Sequence, residues 1–408
     1  MAEEKGQAKN ELLTNDHRAL GQALDLFSFH DVAPGAPFWH PKGMAIFRAL
    51  EKHARTINDE NDYLEISTPI LVKKEVFETS GHWDHYRDNM FWFQNPTDEN
   101  ETLVIKPMNC PESTFVYKSG IRSYKDLPLR MAEIGRLNRN ERSGTLGGLF
   151  RVRQITMDDA HIFVRPDQVG SEVENVIQII ENFYGMFGFT PRYVLATRPE
   201  NSLGTAEDWG LAEHAIETAL KNKNISYEVE KGEGAFYGPK IEVHMKDSQD
   251  RDWQMGTAQL DLVMLPKQFD LSYIDENGEK KMPWVIHRAI FGSFERFIGI
   301  LLEHFSGALP FWLSPVQIKI LCVNDTILAY AKTVAKELCK QDYRTEIDER
   351  NESIGKKIRE AEMQKIPYLL IVGNKEVEAK TISVRERGGK DHGGMSQVAF
   401  LDLIKKAA

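Results

Sequence analysis

The stretch TMDDAHIF, residues 156–163, sets two carboxylates, Asp158 and Asp159, just before an imidazole, His161, and RVR at 151–153 precedes it. Oxygen and nitrogen donors at this spacing admit three roles: metal ligands, acid–base groups, or the polar residues of a loop. Farther upstream, Arg139 and Glu141 stand before Gly144, Gly147 and Gly148, and Arg151 follows them. Guanidinium groups at both ends of one hairpin can converge on an anion from two sides, and Glu141 can accept a hydrogen bond from an exocyclic amine. Salt bridges along a twisted ribbon explain the same residues equally well. Cys110, in MNCPE, and His287, in VIHRA, complete the ligand-type residues. Their separations from His161 define no common site, and a lone cysteine or histidine is commonly a satisfied core residue. The chain lacks CxxC, HExxH, a P-loop lysine motif and GxGxxG, so any nucleotide bound here is held by neither a P-loop nor a Rossmann turn.

These groups need a scaffold. TLVIKP (102–107) and PLRMAEIGRLN (128–138) read as strands, RNERSGTLGGL (139–149) as a glycine-rich loop, and LFRVRQIT (149–156) as resumed extended chain, together a long hairpin flanked by arginines. Two more strands are predicted at 234–245 and 251–265, and YLEISTPIL (63–71) reads as an edge strand because Pro69 removes a donor. Apolar residues at helical spacing predict helices over 16–29, 44–59, 168–187 and 286–305, the last opened by His287. Antiparallel strands with helices laid outside them describe an α+β domain. FWLSPVQ (311–317) breaks the pattern. Beyond it strands at 316–323, 343–349 and 367–374 alternate with helices at 324–341 and 353–365, which implies βαβ units and a separate small α/β domain.

The 408 residues carry a net charge of −10, which argues against a nucleic-acid partner until its distribution is considered. Residues 316–408 hold 17 Lys+Arg against 14 Asp+Glu, and residues 130–153 hold six arginines, no lysine and two acids. Local positive strips on an acidic body suit phosphate binding at chosen places, although an ordinary acidic enzyme with a neutral tail domain has the same balance. Three scattered cysteines build no disulfide framework, no apolar run approaches twenty residues, and MAEEKGQAKNELLTND has the features of neither a secretory nor a transit peptide. These features describe a cytoplasmic protein with no membrane partner.

At this level of detail the chain resembles the threonyl-tRNA synthetase family of class II aminoacyl-tRNA synthetases. The resemblance rests on PFWHPKG (37–43), TSGHWDHY (79–86), IKPMNCPE (105–112), LPLRMAEIG with NRNERSGTLGGLFRVR and DDAHIF (127–163), GEGAFYGPKIE (232–242), GTAQLD (256–261), IHRAIFGSFERFIGIL (286–301) and RNESIGKKIREAE (350–362). It implies a class II catalytic domain with an antiparallel sheet over 17–313, an anticodon-binding domain over 314–408, and a polar tail over 1–16. It implies a threonine–tRNA ligase that makes threonyl-adenylate from L-threonine and ATP with Mg2+ and charges tRNA(Thr), with no DNA partner. Arg139 would hold the α-phosphate, Glu141 the adenine amine and Arg151 the outer phosphate; Arg296 would stack on adenine and Gln254 touch ATP. Cys110, His161 and His287 match the family's zinc ligands, an open Zn2+ site that would chelate threonine and exclude valine. Asp159 would receive the threonine hydroxyl and Tyr237 hold its amino group, leaving Asp158 structural. Asn351, Glu376 and Arg385 fall where anticodon bases are read, and Pro69 matches the motif around which a homodimer forms.

The chain departs from that pattern in places. Ile155 stands where a phenylalanine is usual and gives up ring stacking on adenine, Met157 stands where a glutamine is usual, and Asn138 where a histidine is common. About sixteen residues precede the core, where bacterial-type members carry a domain that hydrolyses seryl-tRNA. The expectation is a short form without editing in cis, which makes some Ser-tRNA and does not clear it. Two readings compete with the ligase: an activating paralogue that charges another carrier, and a non-catalytic RNA-binding regulator.

Overall fold

A computed structural model describes residues 15–247 and 249–407, so nearly all of the expected tail lies outside the described residues. The described residues divide into two compact units, one within 31–36 and 51–297, the other within 15–30, 37–50 and 298–407. No helix among the described residues is long and apolar enough to cross a membrane.

The first unit is built on an eight-stranded sheet. In chain order its strands are β1 (Leu64–Glu65), β2 (Leu129–Asn138), β3 (Gln154–Val164), β4 (Arg192–Ala196), β5 (Tyr227–Glu230), β6 (Lys240–Lys246), β7 (Asp252–Asp261) and β8 (Trp284–Ala289). Across the sheet they run β5-β4-β6-β7-β8-β3-β2-β1. Every central pair is antiparallel, and only the edge pairs β5–β4 and β2–β1 are parallel. The predicted hairpin is β2–β3, paired from Leu129↔Phe163 to Asn138↔Gln154. DDAHIF therefore lies within a strand, which excludes the polar-loop reading. Residues 71–73, 91–95 and 98–105 form a separate three-stranded sheet.

The helix predicted over 286–305 is corrected. Residues 284–289 form β8, hydrogen-bonded between β3 and β7, and the helix spans only Phe294–His304. Residues 285–292 are almost all buried, and a segment buried on every side does not separate strand from helix by periodicity. Gly292 makes the turn at φ +68°, where an added Cβ would stand 2.9 Å from the Met255 carbonyl. Ser293 then receives the Arg296 N–H on its hydroxyl at 3.2 Å and caps the helix. The helix predicted over 16–29 ends at Ala23; Asp25 takes a left-handed φ of +57°, and Phe27–Ser28 pair as a strand with Phe38–Trp39. A helix over Ala206–Asn222 went unassigned, although Thr205 and Asp208 form its capping box.

In the second unit, strands β9 (Ile318–Cys322), β10 (Thr345–Asp348), β11 (Tyr368–Val372), β12 (Ile382–Glu386) and β13 (Asp391–Met395) are ordered β10-β9-β11-β12-β13. β9 is parallel to both its neighbours, as the alternating pattern predicts, and β12 and β13 add an antiparallel edge that the pattern did not reveal. Ile318, Ile320, Leu370, Val372, Phe400 and Ile404 form part of its core.

One buried ion pair ties the larger sheet together. Arg288 on β8 is 1% exposed and Asp158 on β3 is 0%. The Arg288 guanidinium donates to Asp158 Oδ1 at 3.2 Å and to Asn58 Oδ1 at 2.7 Å, and lies 4.5 Å from the Tyr63 ring centre. Asp158 Oδ2 accepts the main-chain N–H of Ile290 at 2.8 Å. Asp158→Ala leaves a buried guanidinium unpaired, so stability in urea denaturation is expected to fall by about 3–5 kcal/mol. A loss below ~1 kcal/mol would show that the pair does not tie β3 to β8.

Candidate active site

Side chains alternate across a strand, so adjacent Asp158 and Asp159 point to opposite faces of β3. Asp158 enters the core and Asp159 lines a cavity of about 370 Å3 together with Cys110, Arg139, Met157, Tyr237 and His287. Asp159 accepts from the Asn109 amide at 3.2 Å. That approach requires Gly135, opposite Met157, because a Cβ there would fall on the Asn109 amide. Burial pushes the Asp159 carboxyl up to about 6.

His161 and His287 face each other across β3 and β8, and Cys110 begins the helix Cys110–Lys118. Residues that spacing alone kept apart thus bring ligand atoms within 4.8 Å of one another. His161 Nε2 and His287 Nδ1 are buried without a hydrogen-bond partner among the described residues. The other nitrogen of His287, Nε2, is 3.2 Å from Asp261 Oδ2, and that carboxylate is fixed by the N–H groups of Val263, Met264 and Leu265 at 2.7–2.9 Å. A carboxylate behind an imidazole sets its tautomer and aim. Burial holds the His161 imidazole neutral, the ligating form, and pushes the Cys110 thiol up, so a cation would have to displace its proton. One sulfur and two nitrogens, two of the three atoms otherwise unpartnered, fit a divalent ion such as Zn2+ with a position left open.

Beside the cavity three arginines converge. Arg139 follows β2 and donates from Nε to the Pro107 carbonyl at 3.1 Å. Arg151 lies 3.3 Å from Glu141 Oε2. Arg296 donates to the carbonyls of Phe150 at 3.1 Å and Gln254 at 3.2 Å. Burial, then the positive charges of Arg139 and Arg151, lower the Arg296 guanidinium from its ordinary value. Guanidinium groups that repel one another while held in place can together receive an anion. Gln254 itself is exposed and shows its main-chain oxygen as the contact to Arg296. Tyr237 sits 5.2 Å from the His287 ring, and burial keeps its phenol protonated.

The three residues of the other unit lie on different elements: Asn351 outside the strands, Glu376 in the helix Asn374–Ala379 and Arg385 on β12. Asn351 is exposed beyond β10. Glu376, beyond β11, accepts from Gly373 N–H and Ser383 Oγ, each at 2.9 Å, and so also caps a helix. Arg385 pairs with Leu369, nearer the other end of β11, and lies 3.8 Å from Glu362.

The tRNA synthetase class II core domain of the G, H, P, S and T enzymes matches residues 91–305, and an anticodon binding domain matches 317–407. The chain belongs to the class II tRNA synthetase core family. Within it, the chain is 51% identical over 406 residues to the threonine–tRNA ligase of Caldanaerobacter subterraneus subsp. tengcongensis, covering 100% of this chain and 62% of that one. The threonine–tRNA ligase of Clostridium kluyveri is 51% identical over 391 residues, covering 96% and 61%. The chain thus spans about three-fifths of the length of the curated relatives it matches. A crystal structure of the RNA binding domain of threonyl-tRNA synthetase from Cryptosporidium parvum superposes with a TM-score of 0.90 at 38% identity, covering 97% of this chain and 98% of that one.

Sequence reading passed over Asn58, Asn109, Asp261, Arg288 and Glu295, each of which holds another group in place. Asp261 was visible in principle, as an acid ending a strand just ahead of a helix start, where main-chain amides need an acceptor. Glu295 is 2% exposed and accepts from Thr156 N–H and Ser293 Oγ beside Arg296. Burial pushes its carboxyl from 4.5 up to about 7. Between those values the folded chain binds more protons than the unfolded one. The stability this carboxyl contributes is therefore complete at low pH and is lost as pH rises to about 7. The stability of Glu295→Gln relative to wild type is expected to rise over that window by up to ~1.4 kcal/mol per pH unit. Denaturation curves that stay parallel from acid to neutral pH would sink this assignment.

Proposed function

We propose that this chain is a threonine–tRNA ligase. It joins L-threonine to AMP from ATP, releasing pyrophosphate, and passes the threonyl group to the 3′ end of tRNA(Thr). The observation that carries this reading is the Cys110–His161–His287 cluster, two members of which, Cys110 and His287, line one cavity with Asp159 and Arg139. Zn2+ held there would leave room for an amino group and a hydroxyl together, which threonine has and valine lacks. A site built around a required polar group rejects the analogue without it far more strongly than it rejects a methyl group.

The chain's own residues do the rest. Asp159, still mainly ionised at neutral pH, accepts the threonine hydroxyl, and Tyr237 holds the amino group. The threonine carboxylate attacks the α-phosphorus, and negative charge grows on its oxygens. Arg139 meets that charge at the α-phosphate and Arg151 at the outer phosphates with bound Mg2+, without reorganising as it forms. Arg296 lies on adenine, Glu141 takes its amine, and Gln254 adds a contact. Asn351, Glu376 and Arg385 read anticodon bases. Residues 17–313 act as the catalytic domain and 314–408 as the anticodon-binding domain. The core and anticodon matches, which end at 305 and begin at 317, support that division. A homodimer is built around Pro69, where Leu64, Ile70 and Leu71 are 59%, 48% and 46% exposed, an apolar row suited to a partner rather than water. The protein works in the cytoplasm.

Three measurements test this: metal analysis, threonine-dependent ATP–pyrophosphate exchange, and charging of total tRNA. About one zinc per chain is expected, with exchange supported by threonine and not by valine. Cys110→Ser should lose the zinc and about 100-fold or more of the exchange rate. Zinc-loaded protein that shows no threonine-dependent exchange would refute the reading.

A further inference from the structure

Among the described residues Arg296 forms no ion pair, and Glu141 acts on it only through charge. Its side-chain hydrogen bonds there go to main-chain carbonyls, one on Phe150 and one on Gln254. Those carbonyls sit on separate segments: Phe150 closes the glycine-rich loop ahead of β3, and Gln254 lies near the start of β7. Arg139 and Arg151 repel the guanidinium they hold. Whatever joins the two segments therefore fixes where Arg296 points.

Rings make that junction. Phe150 and Trp253 have centroids 4.6 Å apart, and the Arg251 guanidinium covers both, at 5.0 Å and 5.4 Å. Asp247, 7% exposed, binds the far side: its Oδ2 accepts from Arg251 Nε at 2.6 Å and from Trp253 Nε1 at 2.7 Å. On the near side Trp253 lies 6.0 Å from the Arg296 guanidinium. The order is Asp247, Arg251, the Phe150–Trp253 pair, then Arg296. Each cation lies over a ring and each ring belongs to a segment that offers a carbonyl to Arg296, so the contacts join the two segments.

We propose that Phe150, Trp253, Arg251 and Asp247 form a clamp that positions Arg296 for the nucleotide, so that they set ATP affinity without touching ATP. The inference rests on the ATP-binding reading above. A guanidinium must lie flat on a base to gain stacking, and a side chain already held in that plane loses less freedom on binding. Arg151 adjoins Phe150, so the same clamp steadies the phosphate end. These are positioning residues.

The test is calorimetric titration of the full chain with ATP–Mg2+, followed by exchange kinetics. Trp253→Ala is expected to raise the Kd for ATP about tenfold, equivalent to about 1.4 kcal/mol. It should raise the KM for ATP similarly and leave the KM for threonine unchanged. Trp253→Phe, which keeps a ring, should stay within about twofold of wild type. A merely structural defect would instead lower the active fraction, reducing kcat and leaving both KM values alone. Wild-type ATP affinity in folded Trp253→Ala, or equal losses for ATP and threonine, overturns the clamp. If circular dichroism shows Trp253→Ala unfolded, Phe150→Leu and Asp247→Asn replace it under the same criteria. Wild type that binds ATP yet fails threonine-dependent exchange removes the threonine reading only, because the Kd is measured without amino acid.

Discussion

The carboxylate of Asp158 and the guanidinium of Arg288 meet in the interior of the sheet, and the site depends on their meeting. A buried pair of this kind adds little over well-packed apolar side chains, but either charge alone would be costly. Its consequence is register. Sliding β3 by one residue would turn Asp158 into the cavity and Asp159 into the core, and would leave Arg288 unpaired. Holding β3 and β8 in step sets His161 opposite His287, and with it the distance between two of the three ligand-type side chains.

Scaffold and site differ in how their polar groups are satisfied. Lys106, 1% exposed, gives its protons to Glu133 at 2.9 Å and to Thr68, whose main-chain N–H and hydroxyl also bind Glu133. Nothing in that group is left for a ligand. Near the cavity, among the described residues, two imidazole nitrogens lack hydrogen-bond partners, and the hydrogen bonds of the Arg296 side chain go to carbonyls. Buried polar atoms are normally satisfied, so such exceptions mark where a protein keeps its capacity for something else. The neutral His161, the protonated Tyr237 and the raised Asp159 share one cause, the loss of water around the cavity.

Legibility followed the range of the interaction. The β2–β3 hairpin was readable because strand, glycine-rich loop and strand are contiguous, and the parallel strands of the second unit because their alternation with helices is local. β8 was misread, since a strand buried between two neighbours shows no alternation of inner and outer residues, and here even His287 and Arg288 are buried. The antiparallel strands β12 and β13 were missed: Gly388, Gly389 and Gly393 punctuate that stretch, and DHGGM has little of the composition of a strand. The site residues were reached by resemblance. Asn58 and Asn109 carried no signal at all, because a single amide acquires meaning only from what it faces.

By itself the sequence determined the inventory: the thiol of Cys110, the imidazoles of His161 and His287, an arginine-rich hairpin, the strand periods that carry most of them, and the glycines that let Asn109 approach and β8 turn into its helix. Folding decided which of those residues are neighbours. Cys110, His161 and His287 lie up to 177 residues apart, and nothing local relates them. Tertiary structure also decided which of two adjacent aspartates faces the cavity, for a pleat sends neighbours to opposite sides and only the pairing of β3 with β8 says which side is inside.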